Sequence, residues 1–279
     1  MVVKITDIGG TVALANGIEM PYLGIGTYHI DDDDKAARVV GDALEAGYRQ
    51  IDTAALYDNE KGVGRAIRES GVPRQDIFIT SKVWNTDQGF DSTLRAFDAS
   101  MQRLQTEILD LYLIHWPGRG KYKDTWKALE RLYQEKRVRA IGVSNFLKHH
   151  LEDLISGAEL RPMVNQMEFH PYLVQPDLLD FCRQHNIQAQ AWAPLMRGKV
   201  GEVPLMKALG EKYGKTPFQM ALRWDLQKGV ATIPKSVQRE RMVSNAEIFD
   251  FKISVEDMAQ IDGLDNSYRF GPNPDNFIF

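Results

Sequence analysis

Two hydrophobic periods alternate along the chain. Short β-branched or apolar runs, bounded by Gly, Asp or Asn, give way to longer stretches in which apolar side chains return every three or four positions. Strand patterns fall near 22–26, 49–52, 76–81, 109–114, 138–142, 162–166, 187–191 and 230–233. Helical patterns cover 33–46, 59–70, 90–104, 121–135, 147–155, 175–184, 203–228 and 238–247, the seventh interrupted at Gly214. Eight strand–helix units without a linker or a shift in composition predict a single-domain α/β protein over 1–279, a (β/α)8 barrel. Ahead of them, Ala15-Asn16-Gly17-Ile18 carries the Asn-Gly signal of a hairpin turn, which would cap one end of the core. The run Asp31 to Asp34 suits the N-terminus of the first helix, where the helix dipole favours negative charge. A further helical pattern at 254–263 precedes a Gly/Pro/Asn-rich tail ending at Phe279.

Composition narrows the class without naming a chemistry. The 279 residues are 43% apolar and 26% charged, enough for one large core. A formal net charge of −4 gives no electrostatic footprint for nucleic acid. Cys182 is the only cysteine, so no internal disulfide forms, and it reads as a small buried apolar group. No apolar run approaches the roughly 20 residues that span a bilayer. The start, Met1-Val-Val-Lys-Ile-Thr6, lacks the pattern of a signal peptide, and the expectation is a soluble cytoplasmic protein. Gly24-x-Gly26 begins like a dinucleotide fingerprint, but His29 stands where the third glycine belongs and acidic residues follow. No other Gly-x-Gly-x-x-Gly occurs, which rejects a Rossmann domain.

In a barrel all strand ends share one mouth, and here several apolar strands stop at ionisable residues. The second ends in Asp52 with Tyr57 just beyond, the third in Lys82, the fourth in His115. A Lys or His closing an apolar strand is costly to bury unless it is paired. Each residue has an ordinary reading, Asp52 as a cap and Tyr57 as packing, but together they form one candidate cluster. The same mouth would gather Tyr28, Trp84, Trp116, Ser144, Asn145, Gln166, Trp192, Lys235 and Ser236. No metal is expected: His149, His150 and His170 lie outside the central set and read as surface or loop residues.

The segments Asp52-Thr-Ala-Ala-Leu-Tyr57, Lys82-Val-Trp-Asn85, Leu113-Ile-His-Trp-Pro117, Gly142-Val-Ser-Asn-Phe146, Val164-Asn-Gln166 and Ile233-Pro-Lys-Ser-Val237 occur in this order, each at a strand end. In them the chain resembles the aldo-keto reductase superfamily. The resemblance runs nearly end to end and is nearest to the microbial branch of 2,5-diketo-D-gluconate, glyoxal and methylglyoxal reductases, with prostaglandin F synthase-like relatives. It implies a monomer that reduces aldehydes and ketones, dicarbonyls and diketo sugars among them, with NADPH. It implies a catalytic set of Asp52, Tyr57, Lys82 and His115, and substrate contacts from Tyr28, Trp84, His115 and Trp116. Cofactor contacts are implied for Gly26, Thr27, Asp52, Ser144, Asn145, Gln166, Trp192, Pro194, Leu195, Lys235, Ser236, Val237, Arg241 and Asn245.

The chemistry of the residues fits this. Carbonyl reduction needs a hydride on carbon and a proton on oxygen. A phenol titrates near 10, so Tyr57 is expected to need a cation to bring its pKa down, and Lys82 is the candidate. Asp52 would compensate Lys82, and His115 would orient the carbonyl. Resemblance puts Trp192 against the nicotinamide, Ser144, Asn145 and Gln166 on its carboxamide, and Arg241 on a 2′-phosphate; Arg239 and Glu240 read as a solvated helix face. Two departures stand out. Ser244 occupies a position where relatives carry Glu or Gln, and Tyr28 one where they carry Trp. With a short loop over 117–122 and a short tail, an open pocket of broad specificity is expected. Two other classes compete: an NADPH-binding regulatory barrel with little turnover, which the complete set of four argues against, and a Schiff-base aldolase using Lys82.

Overall fold

In the computed structural model, which describes residues 5–277, the alternation closes on itself. Strands β3 (Ile25–Gly26), β4 (Gln50–Asp52), β5 (Phe78–Val83), β6 (Leu109–Ile114), β7 (Val138–Ser144), β8 (Val164–Glu168), β9 (Gln188–Trp192) and β10 (Ala231–Thr232) are hydrogen-bonded in that order in one parallel sheet. The two ends of the sheet also meet. Leu23 bridges Thr232, Gly24 N–H donates to Thr232 O at 2.9 Å, and Gly26 N–H donates to Pro234 O at 3.0 Å. The closed sheet turns all eight carboxyl ends to one mouth. β3 and β10 are shorter than the apolar runs that encode them. Around β10 the ladder stops at Pro234, which has no N–H to extend it.

The opposite end carries the hairpin. β1 (Thr11–Ala13) pairs antiparallel with β2 (Glu19–Pro21), and Leu14 N–H donates to Ile18 O at 2.8 Å across the Asn16-Gly17 turn. Asn16 Nδ2 donates to Arg139 O at 2.9 Å, which fastens the turn to the start of β7. A cavity of about 780 Å³ opens beside this contact, lined by Ile18, Ile108, Tyr133 and Arg139 among others. None of the residues at the mouth lines it.

The helices sheathing the barrel are α1 (Asp33–Glu45), α2 (Glu60–Glu69), α3 (Phe90–Leu104), α4 (Tyr122–Gln134), α5 (Lys148–Ile155), α6 (Pro176–Gln184), α8 (Pro217–Gln227) and α9 (Arg239–Ala246). Two more, α7 (Pro204–Tyr213) and α10 (Val255–Asp262), are additions. Local chemistry sets their ends. Asp32 caps α1 by accepting from Lys35 N–H at 2.7 Å, with Asp33 and Asp34 in the first turn. Gly214 takes the left-handed conformation that ends α7, at φ +63°. Thr216 and Gln219 then start α8 with a reciprocal capping box. Between barrel and helices the core is apolar; Phe169 stacks on buried Trp224 at 4.8 Å, and Trp224 Nε1 donates to Asp262 Oδ1 at 2.8 Å. A large aromatic gains about 1.5–3 kcal/mol from full burial provided its polar tip is satisfied. Cys182 lies in this layer, and burial pushes its thiol pKa up to about 12. Among the described residues no helix is long and apolar enough to cross a membrane.

Candidate active site

Toward the mouth, the packing inside the barrel is polar. Asp52, the last residue of β4, and Lys82, near the end of β5, meet below the mouth: Lys82 Nζ donates to Asp52 Oδ1 at 2.6 Å and to Thr53 O at 2.9 Å. Lys82 has no exposed surface and Asp52 only 2%. A pair this deep is held only if its remaining valences are satisfied. Asp52 Oδ2 meets that need by accepting from Gln166 Nε2 at 2.7 Å. The chain after β4 makes a single 3-10 turn over Ala55–Tyr57, closed by left-handed Asp58. That turn brings the half-buried Tyr57 back so that its oxygen lies 3.5 Å from Lys82 Nζ. His115 follows β6 directly and meets the Tyr57 ring edge-on at 5.7 Å. The four residues singled out from the strand ends therefore converge.

Their electrostatics differ from expectation in one respect. The Tyr57 pKa is raised, not lowered: burial of the phenol comes first, then the Asp52 carboxylate and Tyr28. Lys82 does not bring it down because its charge faces Asp52, and burial lowers the pKa of Lys82 itself against the pull of Asp52 and Glu60. Tyr57 is thus held as a protonated phenol. His115 is pushed well below its ordinary value by burial and by Lys82, so it is neutral. Its Nδ1 is buried without a partner among the described residues, which fits the tautomer carrying the proton on Nε2.

Around this centre, Thr27 Oγ1 donates to Asp52 O at 3.0 Å, and Gly26 is in register with Asp52. Asn145 Nδ2 donates to His115 O at 2.9 Å and to Ser144 Oγ at 3.1 Å, while its Oδ1 accepts from Trp192 Nε1 at 2.8 Å. Ser144, Asn145 and Trp192 are thus bonded to one another and to the His115 carbonyl, and Gln166 to the Asp52–Lys82 pair. Pro194 and Leu195 sit in a turn where Ala193, Met196 and Arg197 adopt positive φ, a strained stretch for non-glycine residues.

A second group lies beyond β10. Lys235 is exposed, and Ser236 Oγ accepts from Gln238 N–H at 3.1 Å, shaping the entry to α9 past Val237. Arg241 is exposed with no ion pair among the described residues. Arg239 is not simply solvated; it pairs with Glu45 of α1 at 2.6 Å. Burial, and then the neighbouring ammonium of Lys35, lower the pKa of Lys235 against the pull of Asp31, so two cations and one carboxylate gather here. Asn245 is buried; Ser244 is half-buried, its carbonyl accepting from Gln219 Nε2 at 2.9 Å.

Aromatic rings wall the remaining side. Tyr28, 46% exposed, lies 5.1 Å from the Tyr57 ring, and Trp84 meets His115 edge-on at 5.0 Å. The tail, though short, does not leave this side open: Phe277 lies 4.3 Å from Trp116 and 6.4 Å from Trp84. Glu168 at the end of β8 anchors the tail by accepting from Phe270 N–H at 2.6 Å and Gly271 N–H at 3.1 Å.

The three outlying histidines separate. His170 lies in the connection after β8, as a loop reading expects, but it is fully buried, against Glu168 Oε1 at 3.2 Å, and not at the surface. His149 and His150 share Asp275 Oδ1, at 2.8 and 3.5 Å. This trio has the spacing of a metal site but not the proton arrangement. His150 Nδ1 accepts from Leu147 N–H, so Nε2 carries the proton and faces Asp275 as a donor.

Sequence reasoning missed Gln190, Glu168, Phe277 and Lys35. Gln190 and Glu168 were signalled by period two: each lies two positions from a residue already singled out, on the same strand face.

The model of the aldo/keto reductase family matches residues 22–266. Glyoxal reductase of Bacillus subtilis is 54% identical over 98% of this chain and 99% of its own. The 9,11-endoperoxide prostaglandin H2 reductase of Trypanosoma cruzi is 52% identical over 96% of this chain and 95% of its own. Among solved structures, a mutant form of Gox0644 in complex with NADPH superposes with a TM-score of 0.92 at 41% identity, covering 96% of this chain and 98% of that one. With a closed barrel, the strand-end cluster and these matches in agreement, the chain belongs to the aldo/keto reductase family.

Proposed function

We propose that this protein reduces aldehydes and ketones to alcohols with NADPH, and that small dicarbonyls such as glyoxal and methylglyoxal are its first substrates to try. The observation that carries the reading is the buried Lys82–Asp52 pair under a protonated Tyr57, with neutral His115 alongside. The similarity to a glyoxal reductase supports the substrate class.

NADPH supplies the hydride, and the protein orients it and delivers the proton. Lys235, Ser236, Val237 and Arg241, with Asn245, would hold the adenosine 2′-phosphate end. The crowding of Lys35 against Lys235, and Arg241 without an ion pair among the described residues, fit an anion there. Gly26, Thr27, Pro194 and Leu195 would line the path inward. Ser144, Asn145 and Gln166 would take the carboxamide, and Trp192 would lie against the ring. The carbonyl oxygen would accept from Tyr57 Oη–H and His115 Nε2–H; Tyr57 gives up its proton as charge builds on that oxygen. Lys82 then faces the phenolate, and its attraction for that charge grows as the proton leaves. In this way a tyrosine with a raised resting pKa still serves as a donor: the cation acts on the product of proton transfer. Tyr28, Trp84 and Trp116, with Phe277, would exclude water from the substrate. We take 1–279 as one barrel domain acting as a cytoplasmic monomer, as the family resemblance implies.

Tyr57→Phe tests the reading. NADPH consumption with methylglyoxal should fall by roughly 10²–10⁴-fold while NADPH binding, followed by tryptophan fluorescence, stays near wild type. A variant within about threefold of wild type would remove Tyr57 from the mechanism.

A further inference from the structure

We infer that Gln190 is a positioning residue for the reaction: it locks the Gln166 amide in one orientation and so sets how the nicotinamide is presented. The inference rests on the reading above, that Gln166 takes the carboxamide.

Gln166 and Gln190 are register partners on β8 and β9 and point into the barrel together. Gln166 Nε2 has two hydrogens, and both are used, one on Asp52 Oδ2 at 2.7 Å and one on Gln190 Oε1 at 2.8 Å. Oε1 of Gln166 accepts nothing among the described residues, so it is the atom left to receive an amide N–H. With Asp52 as the only acceptor, either hydrogen of Nε2 could serve, and the side chain would have two rotations that place Oε1 differently. Gln190 removes one of them.

The rest of Gln190 indicates that its oxygen is what matters. The side chain has no exposed surface, and its own Nε2 is buried without a hydrogen-bond partner among the described residues. A buried donor left unpaired is costly, and a residue present only to fill space would be better replaced by an apolar one of the same size. Gln190 keeps an acceptor aimed at Gln166 despite that cost. The line Gln190–Gln166–Asp52–Lys82 then ties the carboxamide side of the site to the proton-donor side through consecutive hydrogen bonds.

Three variants test this: Gln190→Leu, Gln190→Met as a second apolar replacement of similar length, and Gln190→Glu. A Glu buried beside Asp52 keeps its proton and still offers a carbonyl oxygen to Gln166. The readouts are kcat and KM for NADPH with methylglyoxal, and the fraction of deuterium transferred from NADPH labelled on either face of C4. Loss of one fixing hydrogen bond should raise KM for NADPH or lower kcat by roughly tenfold in the Leu and Met variants. Both should also show measurable transfer from the wrong face, and Gln190→Glu should restore facial fidelity. Fidelity responds to orientation and not to stability, so a merely structural role would leave it unchanged in whichever variant folds. Gln166→Leu is the control. If it is impaired while both apolar variants at 190 keep wild-type kinetics and fidelity, the inference about Gln190 is wrong and the reading of Gln166 stands. If Gln166→Leu is itself unimpaired, the reading of Gln166 fails and the role of Gln190 falls with it.

Discussion

Lys82 Nζ sits 2.6 Å from Asp52 Oδ1 with both side chains out of solvent, so neither charge is tolerable without the other. Lys82→Met leaves a buried carboxylate and should destabilise the fold by roughly 3–5 kcal/mol. It should also abolish most turnover, since the Tyr57 phenolate then has no cation to meet it. Adding Asp52→Asn to Lys82→Met removes the orphaned charge. Denaturant unfolding of the double variant should recover part of the lost stability while activity stays low. If the double variant is no more stable than the single one, the pair is not what holds this part of the barrel.

His115 links the site to pH. Burial and the Lys82 charge depress its pKa in the folded state, so the fold holds it neutral. The unfolded chain protonates it near its ordinary value of about 6.5. Below that pH the unfolded state binds more protons, so stability rises with pH and is lost as pH falls. The contribution is fully present above about pH 7 and declines as the pH drops through 6.5 toward the folded pKa. Thermal melts of wild type and His115→Phe, taken at about pH 7.5 and about pH 5, isolate the effect from other titrations. The wild-type midpoint should fall more over this range. Parallel falls would mean that His115 is not held neutral.

Much of this site was legible because barrel strands have a direction. Once Asp52, Lys82 and His115 were seen to close successive strands, closure of the sheet alone brought them together. The helices were legible from period and caps, down to the break at Gly214. What escaped were relations that depend on three-dimensional surroundings. Tyr57 stands next to a lysine, which argued for a lowered pKa, but its depth and the Asp52 carboxylate decide the sign. Phe277 reaches Trp116 from a tail whose sequence has no periodicity to place it. Gln190 alternates with Gln188 along β9, which places it on a strand face, but its partner is visible only across the register of β8 and β9.

The tail also bears directly on Trp192. A Cβ at Gly271 would lie 2.4 Å from Trp192 Cη2, so this position admits no side chain unless the tail or the indole moves. Gly271 N–H is itself bound to Glu168, which resists movement of the tail. Gly271→Ala should therefore displace the indole at a cost of about 1–3 kcal/mol, the range for overpacking. If Trp192 lies against the nicotinamide, KM for NADPH should rise several-fold and the tryptophan emission of the free protein should shift. Unchanged cofactor kinetics alongside a shifted emission would separate Trp192 from nicotinamide binding.

We propose that Arg241 sets the preference for NADPH over NADH. It stands in the first turn of α9, exposed and without an ion pair among the described residues, whereas Arg239 two positions earlier is tied to Glu45. Lys235 and Lys35 add two further cations; burial first, and then Lys35, lower the pKa of Lys235, while Asp31 raises it. A phosphate would relieve that repulsion, and the helix N-terminus adds N–H donors of its own. Arg matches phosphate geometry with two parallel donors. A hydrogen bond to a charged group is worth about 1.5–3 kcal/mol, and about 1.4 kcal/mol is a factor of ten. Arg241→Ala should thus weaken NADPH binding by about ten- to a hundredfold. NADH has no 2′-phosphate, so its weaker binding should hardly change. Arg239→Ala, which breaks an exposed ion pair of little energetic weight, should leave both cofactors within about twofold. Fluorescence titration of wild type and both variants with each cofactor makes the comparison. Equal losses for NADPH and NADH in Arg241→Ala would mean that Arg241 supports the end of α9 and does not read the phosphate.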